Sequence, residues 1–281
     1  MGTEQKSLRD ALRVRPGAVN LAGYDTAATP LSPGGKDKAL RAMAASPLAE
    51  LQERLYAEAT AGGRRSVLLV LQGTDTAGKG GVVNHVVELL SPEGVRVTAF
   101  KVPTPEEAAH HFLWRIRKAL PSPGVVGVFD RSHYEDVLVP RVHELVPESE
   151  WRRRYEEINA FEADLAAKGT TVVKCFLHIS HATQRERLLA RLADPTKQWK
   201  FQEADLDERA YWSDYQAAYS GMLDACDSDA APWYVVPSDR KWYRNWAIGE
   251  LLRETLVELD PQYPKLDLDL PRLRLRLRPP Y

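Results

Sequence analysis

A chain of 281 residues, 44% hydrophobic and 27% charged, can bury a large core within one domain. Its 2 cysteines exclude a disulfide scaffold, and 38 Lys+Arg against 39 Asp+Glu, a formal charge of −1, argue against a general nucleic-acid coat. No run reaches the roughly 18 to 20 apolar residues of a membrane helix. Residues 1–15 lack the apolar centre of a secretory signal, so the expectation is a cytoplasmic protein with no membrane and no nucleic-acid partner.

Residues 16–37 (PGAVNLAGYDTAATPLSPGGKD) are rich in Pro, Gly and Ala and predict an extended arm or loop. A short helix around Leu40 and Met43 follows. Ser46-Pro47 reads as the cap and first position of another, with Leu48, Leu51 and Leu55 on one face. Ser66–Gln72 (SVLLVLQ) is nearly all apolar, the mark of a strand buried on both faces. Val95–Phe100, Val125–Asp130, Thr171–Ile179 and Trp233–Val236 are the further strands. Between and after them lie helix-length segments, among them Glu148–Lys168 stopped by Gly169, His181–Leu192 behind Ser180, and Trp242–Leu259. Strands alternating with helices predict an α/β fold: a mainly parallel five-stranded sheet between helical layers, with the strand C-terminal ends along one edge. In Leu266–Tyr281 leucine alternates with charge, a pattern of an edge strand that equally fits a loose tail or pairing with another subunit.

Directly after the first strand stand Gly73-Thr74-Asp75-Thr76-Ala77-Gly78-Lys79-Gly80-Gly81, then the helix-like VVNHVVELL. This fits G-x-x-x-x-G-K with its required strand before and helix after. A glycine-rich turn lets backbone N–H groups crowd around phosphate oxygens, and Lys79 supplies a mobile charge to the phosphate undergoing transfer. Gly80 stands where an ordinary P-loop places Ser or Thr on Mg²⁺. Asp75 in the loop and Asp130 at the end of the third strand are therefore the candidate metal carboxylates, a pair that suits Mg²⁺, with Mn²⁺ as the alternative.

A substrate made of phosphates needs more cations than one lysine. Arg115-Ile116-Arg117-Lys118 precede the third strand, and Arg131 follows Asp130. Arg185, Arg187 and Arg191 sit in the His181–Leu192 segment, ahead of Lys197 and Lys200 in a Pro-bounded loop that predicts a closing lid. Arg187 and Arg191 share a helix face, while Arg185 lies on another. His110-His111, and His133 with Asp136, match no zinc spacing and suit packing or hydrogen bonding. Tyr134, Trp199 and Trp212 are aromatic at spacings more often found in cores.

The blocks LQGTDTAGKGG, FKVPTPEE, HHFLWRIRKALP, VFDRSHYEDVLVPRVH, RERLLARLADPTKQWKF, DLDERAYWSDY and APWYVVPSDRKWYRNW resemble the family-2 polyphosphate kinases in order and spacing. The resemblance runs from about Lys36 to Pro264. It implies a P-loop kinase-like three-layer sandwich over 36–264 with a helical lid at about 181–210, an N-terminal arm over 1–35 and a tail over 265–281. It also implies reversible transfer of the terminal phosphoryl of inorganic polyphosphate to a nucleoside mono- or diphosphate, with Mg²⁺. AMP, ADP and ATP, and guanine nucleotides as further candidates, are the implied nucleotide partners, and a homo-oligomer is the expected assembly. Asp75, Lys79, Asp130 and Arg131 match the family's catalytic positions. The phosphate contacts fall on Gly73, Thr74, Thr76, Ala77, Gly78, Gly80, Gly81, Lys101, Arg117, Arg185, Arg191, Lys197 and Lys200. SHYEDVLVPRVH looks most like the branch acting on both AMP and ADP. That branch commonly has Asn where Asp130 stands and an acid where Gly80 stands. The rivals are an ATP-dependent nucleoside monophosphate kinase and a non-catalytic phosphate- or RNA-binding P-loop module.

Overall fold

The computed structural model describes residues 7–15 and 17–278. α1 (Leu8–Leu12), α2 (Lys36–Ala44) and α3 (Leu48–Thr60) precede β1 (Ser66–Gln72), which runs into α4 (Lys79–His85). β2 (Val95–Ala99) is followed by α5 (Pro105–Ala108) and α6 (Leu113–Ala119), and β3 (Val126–Asp130) by α7 (Glu135–Val142) and α8 (Glu148–Ala167). β4 (Thr170–His178) leads to α9 (His181–Ala193), α10 (Ala204–Ala210) and α11 (Trp212–Ala225). β5 (Trp233–Pro237), α12 (Lys241–Leu259) and α13 (Leu270–Arg276) complete the order.

The five strands pair in the order β2-β3-β1-β4-β5, every pair parallel, as the alternation predicts. β1 is buried along its whole length, and its two faces feed different cores. Val67, Leu69 and Leu71 pack with α3, α4 and α12 residues such as Leu55, Val82 and Leu251. Leu68 and Val70 face α6, α7, α8 and α11 through Ile116, Leu138, Ile158 and Leu223. Because β1 and β3 are parallel neighbours with Leu71 opposite Asp130, the loops leaving them emerge side by side.

Three local expectations change. The tail is not an edge strand: Leu270–Arg276 is helical. The Asp269 side chain accepts from the Arg272 N–H at its start, and Pro271 fits a first helical turn but removes a ladder donor. Residues 279–281 of that reading lie outside the described residues. Lys36 and Asp37, read as the end of the arm, open α2. Ser46 is not a helix cap: its N–H donates to Met43 O in the turn closing α2, and Pro47 takes the cap position of α3 with no side-chain bond.

The arm is pinned to the sheet. Arg13 bridges Tyr234 antiparallel to β5, Leu21 is buried, and Thr26 Oγ1 donates to Asp239 Oδ2 at 2.7 Å. Pro16 and residues 1–6 lie outside the described residues. Among the described residues no helix is long and apolar enough to cross a membrane.

Candidate active site

The P-loop turns through left-handed backbone at Thr76 (φ 66°) and Gly78 (φ 110°) before α4 begins at Lys79. Lys79 is buried, and its Nζ donates to the carbonyls of Gly73 at 2.7 Å and Thr74 at 3.3 Å. Its ammonium thus lies over the inside of the loop. Asp75 leaves the same loop toward β3, where Arg131 Nη2 donates to its Oδ1 at 2.8 Å. Burial pushes the Asp75 carboxyl up, but the charges of Lys79, Arg131 and Arg191 outweigh it and hold it below its ordinary value. Arg131 is raised: its own burial opposes the charge, and Glu135, Asp75 and Asp130 overcome that.

These loops form the floor of a cleft of about 1520 Å³ at the C-terminal edge of the sheet. Of the residues assigned from sequence, Asp75, Thr76, Gly78, Lys79, Gly80, Gly81, Lys101, Asp130, Arg131, Arg191, Lys197 and Lys200 line it. Gly73, Thr74 and Ala77 lie in the turn behind its wall. Arg117 and Arg185 are exposed and not brought to the cleft; the Arg117 guanidinium sits over the Phe161 ring, 4.8 Å from its centroid.

The arginine of α9 that reaches the P-loop is Arg187. Its Nη1 donates to Thr76 O at 2.8 Å and Ala77 O at 3.0 Å, and its Nη2 donates to the carbonyls of Ser238 and Asp239. One turn on, Arg191 pairs with Asp205 of α10 at 3.6 Å. The spacing of four between Arg187 and Arg191 was the available signal for this face. Lys36, Lys241 and Arg244 also line the cleft, from α2 and α12, and no motif near the P-loop announces them.

The histidines serve packing and hydrogen bonding. His133 Nε2 lies 3.1 Å from Glu162 Oε1 in the core, His111 Nε2 lies 2.8 Å from Glu157, and His110 stacks on Trp114. Tyr134 is fully buried, Trp212 meets His181, and Trp199 is exposed. Among the described residues no group of three or more His, Cys, Asp or Glu is placed to hold a metal. Asp75 and Asp130 remain the acidic pair on the cleft floor, and the Asp130 carboxylate has no hydrogen-bond or ion-pair partner among the described residues. Such a donor set is too poor for Zn²⁺ or Ca²⁺ and fits Mg²⁺, which takes its remaining ligands from phosphates and water.

Cations gathered in this way about a P-loop define a phosphotransferase of the P-loop kinase class. The family profile of Polyphosphate kinase 2 (PPK2) matches residues 34–264, and the chain belongs to that family of polyphosphate kinases. It is 46% identical over 256 residues, 90% of this chain and 94% of the relative, to an AMP/ADP-polyphosphate phosphotransferase of Meiothermus ruber. It is 44% identical over 230 residues, 78% of each chain, to an ADP-polyphosphate phosphotransferase of Rhodopseudomonas palustris. The crystal structure of Polyphosphate Kinase 2 from Arthrobacter aurescens TC1 superposes with a TM-score of 0.93 at 49% identity, covering 97% of this chain and 96% of that one.

Proposed function

We propose that this enzyme moves the terminal phosphoryl of inorganic polyphosphate onto AMP and onto ADP, reversibly, in the cytoplasm. The observation that carries the donor is the charge of the cleft. Ten Lys and Arg side chains line it against four carboxylates, Asp75, Glu88, Asp130 and Asp205, in a chain whose formal charge is −1. So local an excess of cations suits a long polyanion. The acceptors are taken from the relatives named for AMP and ADP.

In the transfer, the bond between the terminal phosphorus and its bridging oxygen breaks. An oxygen of the nucleotide's last phosphate bonds to that phosphorus, and the shortened chain leaves with the bridging oxygen. Little covalent work falls to the protein, so positioning and charge carry the catalysis. Lys79 and Arg131 supply charge at the transferring group, and Asp75 holds Arg131 in place. Arg187 ties α9 to the loop, and Arg191, Lys197 and Lys200 extend the positive wall along the chain's path. Asp75 and Asp130 would hold Mg²⁺ or Mn²⁺, which when bound neutralises charge on the phosphate oxygens.

Purified enzyme with long-chain polyphosphate, Mg²⁺ and either AMP or ADP, its products separated by chromatography, tests the acceptors. ADP followed by ATP from AMP, and ATP from ADP, is the expected result. Conversion of one nucleotide alone would contradict the dual assignment.

A further inference from the structure

Arg244 leaves the first turn of α12 and is 3% exposed. Its Nη1 donates to Ala77 O at 3.2 Å, and its Nε and Nη2 donate to Asn245 Oδ1 at 3.1 and 2.8 Å. No carboxylate pairs with it among the described residues. Burial and the neighbouring Arg187 guanidinium lower it to about 10, so it stays charged at neutral pH. A buried cation without an anion is unfavourable and calls for a reason.

The P-loop is cut to receive it. A Cβ added at Gly81 would stand 2.6 Å from Arg244 Nη2, and the three heavy atoms nearest that point all belong to Arg244. At Gly78 the added carbon would fall inside the same guanidinium, whereas at Gly80 it would meet nothing within 4 Å. Gly78 needs to be glycine for its positive φ as well. Gly81 lies within α4, and Arg244 alone accounts for its missing side chain.

We propose that Arg244 is a positioning residue of the phosphate-binding loop. It sits in a socket that Gly78 and Gly81 leave open and holds the Ala77 carbonyl outward, so that the turn into α4 keeps its amides toward the phosphate chain. The inference rests on the phosphate-chain reading of the cleft.

The experiment is a double-mutant cycle on the full-length enzyme with Arg244→Ala, Gly81→Ala and the pair. Circular dichroism checks folding, kinetics give kcat and each KM, and calorimetry follows binding of inorganic tripolyphosphate. Each single variant is expected to lose about 30-fold in kcat with the nucleotide KM within about threefold. The pair should be no worse than Arg244→Ala, because the methyl added at Gly81 then enters vacated space. Losses that multiply in the pair, or full kcat in Arg244→Ala, would overturn the assignment. If Arg244→Ala does not fold, Arg244→Lys carries the same cycle. Lysine leaves the place of Nη2 free, so Gly81→Ala should then cost less than about threefold, and a full penalty refutes the socket. A wild-type enzyme that binds tripolyphosphate but gives no transfer from polyphosphate would strike the function reading alone, the coupling then being read from binding.

Discussion

Arg131 Nη2 donates to Asp75 Oδ1 across 2.8 Å, a bond between loops 56 residues apart in the chain. Parallel pairing of β1 with β3 brings the two loops together, since Leu71 stands opposite Asp130 and both strands end at the same edge. Arg131 accepts left-handed backbone, φ 64°, to make the contact. A residue other than glycine holds that conformation at a cost of about 1 kcal/mol or more, and such positions gather at functional sites.

The lowered Asp75 carboxyl sets a pH dependence. Its pairing with Lys79 and Arg131 stabilises the fold fully above the ordinary carboxylate value of about 3.9. That contribution fades as pH falls through the still lower native value. Asp75→Asn should therefore be less stable than wild type at neutral pH, by about 1 kcal/mol for a pair this open to solvent. The gap should close as pH falls through that native value. Urea unfolding across this range checks it, and a gap that does not change with pH would contradict the pairing.

The Asp130 carboxylate has no hydrogen-bond or ion-pair partner among the described residues, so its loss should spare the fold and harm the reaction. Asp130→Asn is expected to keep its melting temperature within about 2 °C and to lose on the order of 1,000-fold in kcat. The Mg²⁺ concentration giving half-maximal rate should rise. Near-normal turnover at low Mg²⁺ would remove Asp130 from the metal site.

Two arginines of α9, two positions apart, should behave differently. Arg187 holds carbonyls of the P-loop and of the β5–α12 turn, while Arg185 is exposed and away from the cleft. Arg187→Ala is expected to lose about 100-fold or more in kcat/KM for polyphosphate. Arg185→Ala should stay within about twofold. Steady-state kinetics at varied polyphosphate decides between them.

The core beneath the Asp130–Arg131 turn carries a buried ion pair. Lys174 Nζ donates to Glu162 Oε2 at 2.6 Å, Tyr134 OH donates to Glu162 Oε1 at 2.8 Å, and Lys174 and Glu162 are at most 1% exposed. Burial pushes the Glu162 carboxyl up, but Lys174 and His133 outweigh it and hold it low. Glu162→Gln strands a buried ammonium and should cost about 3–5 kcal/mol, whereas Glu162→Leu with Lys174→Met should cost far less. Thermal denaturation should show the single variant melting about 10 °C lower, with the double variant recovering most of that.

How much of this was legible in the sequence follows from how local each signal is. The strands showed as apolar runs, and the P-loop and Asp130-Arg131 showed because each follows such a run directly; the sheet then makes them neighbours. Lys241 and Arg244 reach the cleft from α12, and Arg244 bonds Ala77 across 167 residues of chain, so only the fold connects them with the P-loop. Helical period put Arg187 and Arg191 on one face and Arg185 on another, but which face meets the loop depends on how α9 packs. In the tail, alternating leucines outweighed Pro271 and the Asp269 cap in the strand reading, although those two residues carried the helix signal.

The proposed donor is a phosphate chain seated in this cleft. The most direct test is the ratio of kcat/KM for long-chain polyphosphate to that for ATP, each with AMP as acceptor at saturating Mg²⁺. A cleft lined by ten cations and four carboxylates predicts polyphosphate to be favoured by about 100-fold or more, with its KM rising steeply as salt is added. A ratio below one, with ATP as the better donor, would overturn polyphosphate as the donor.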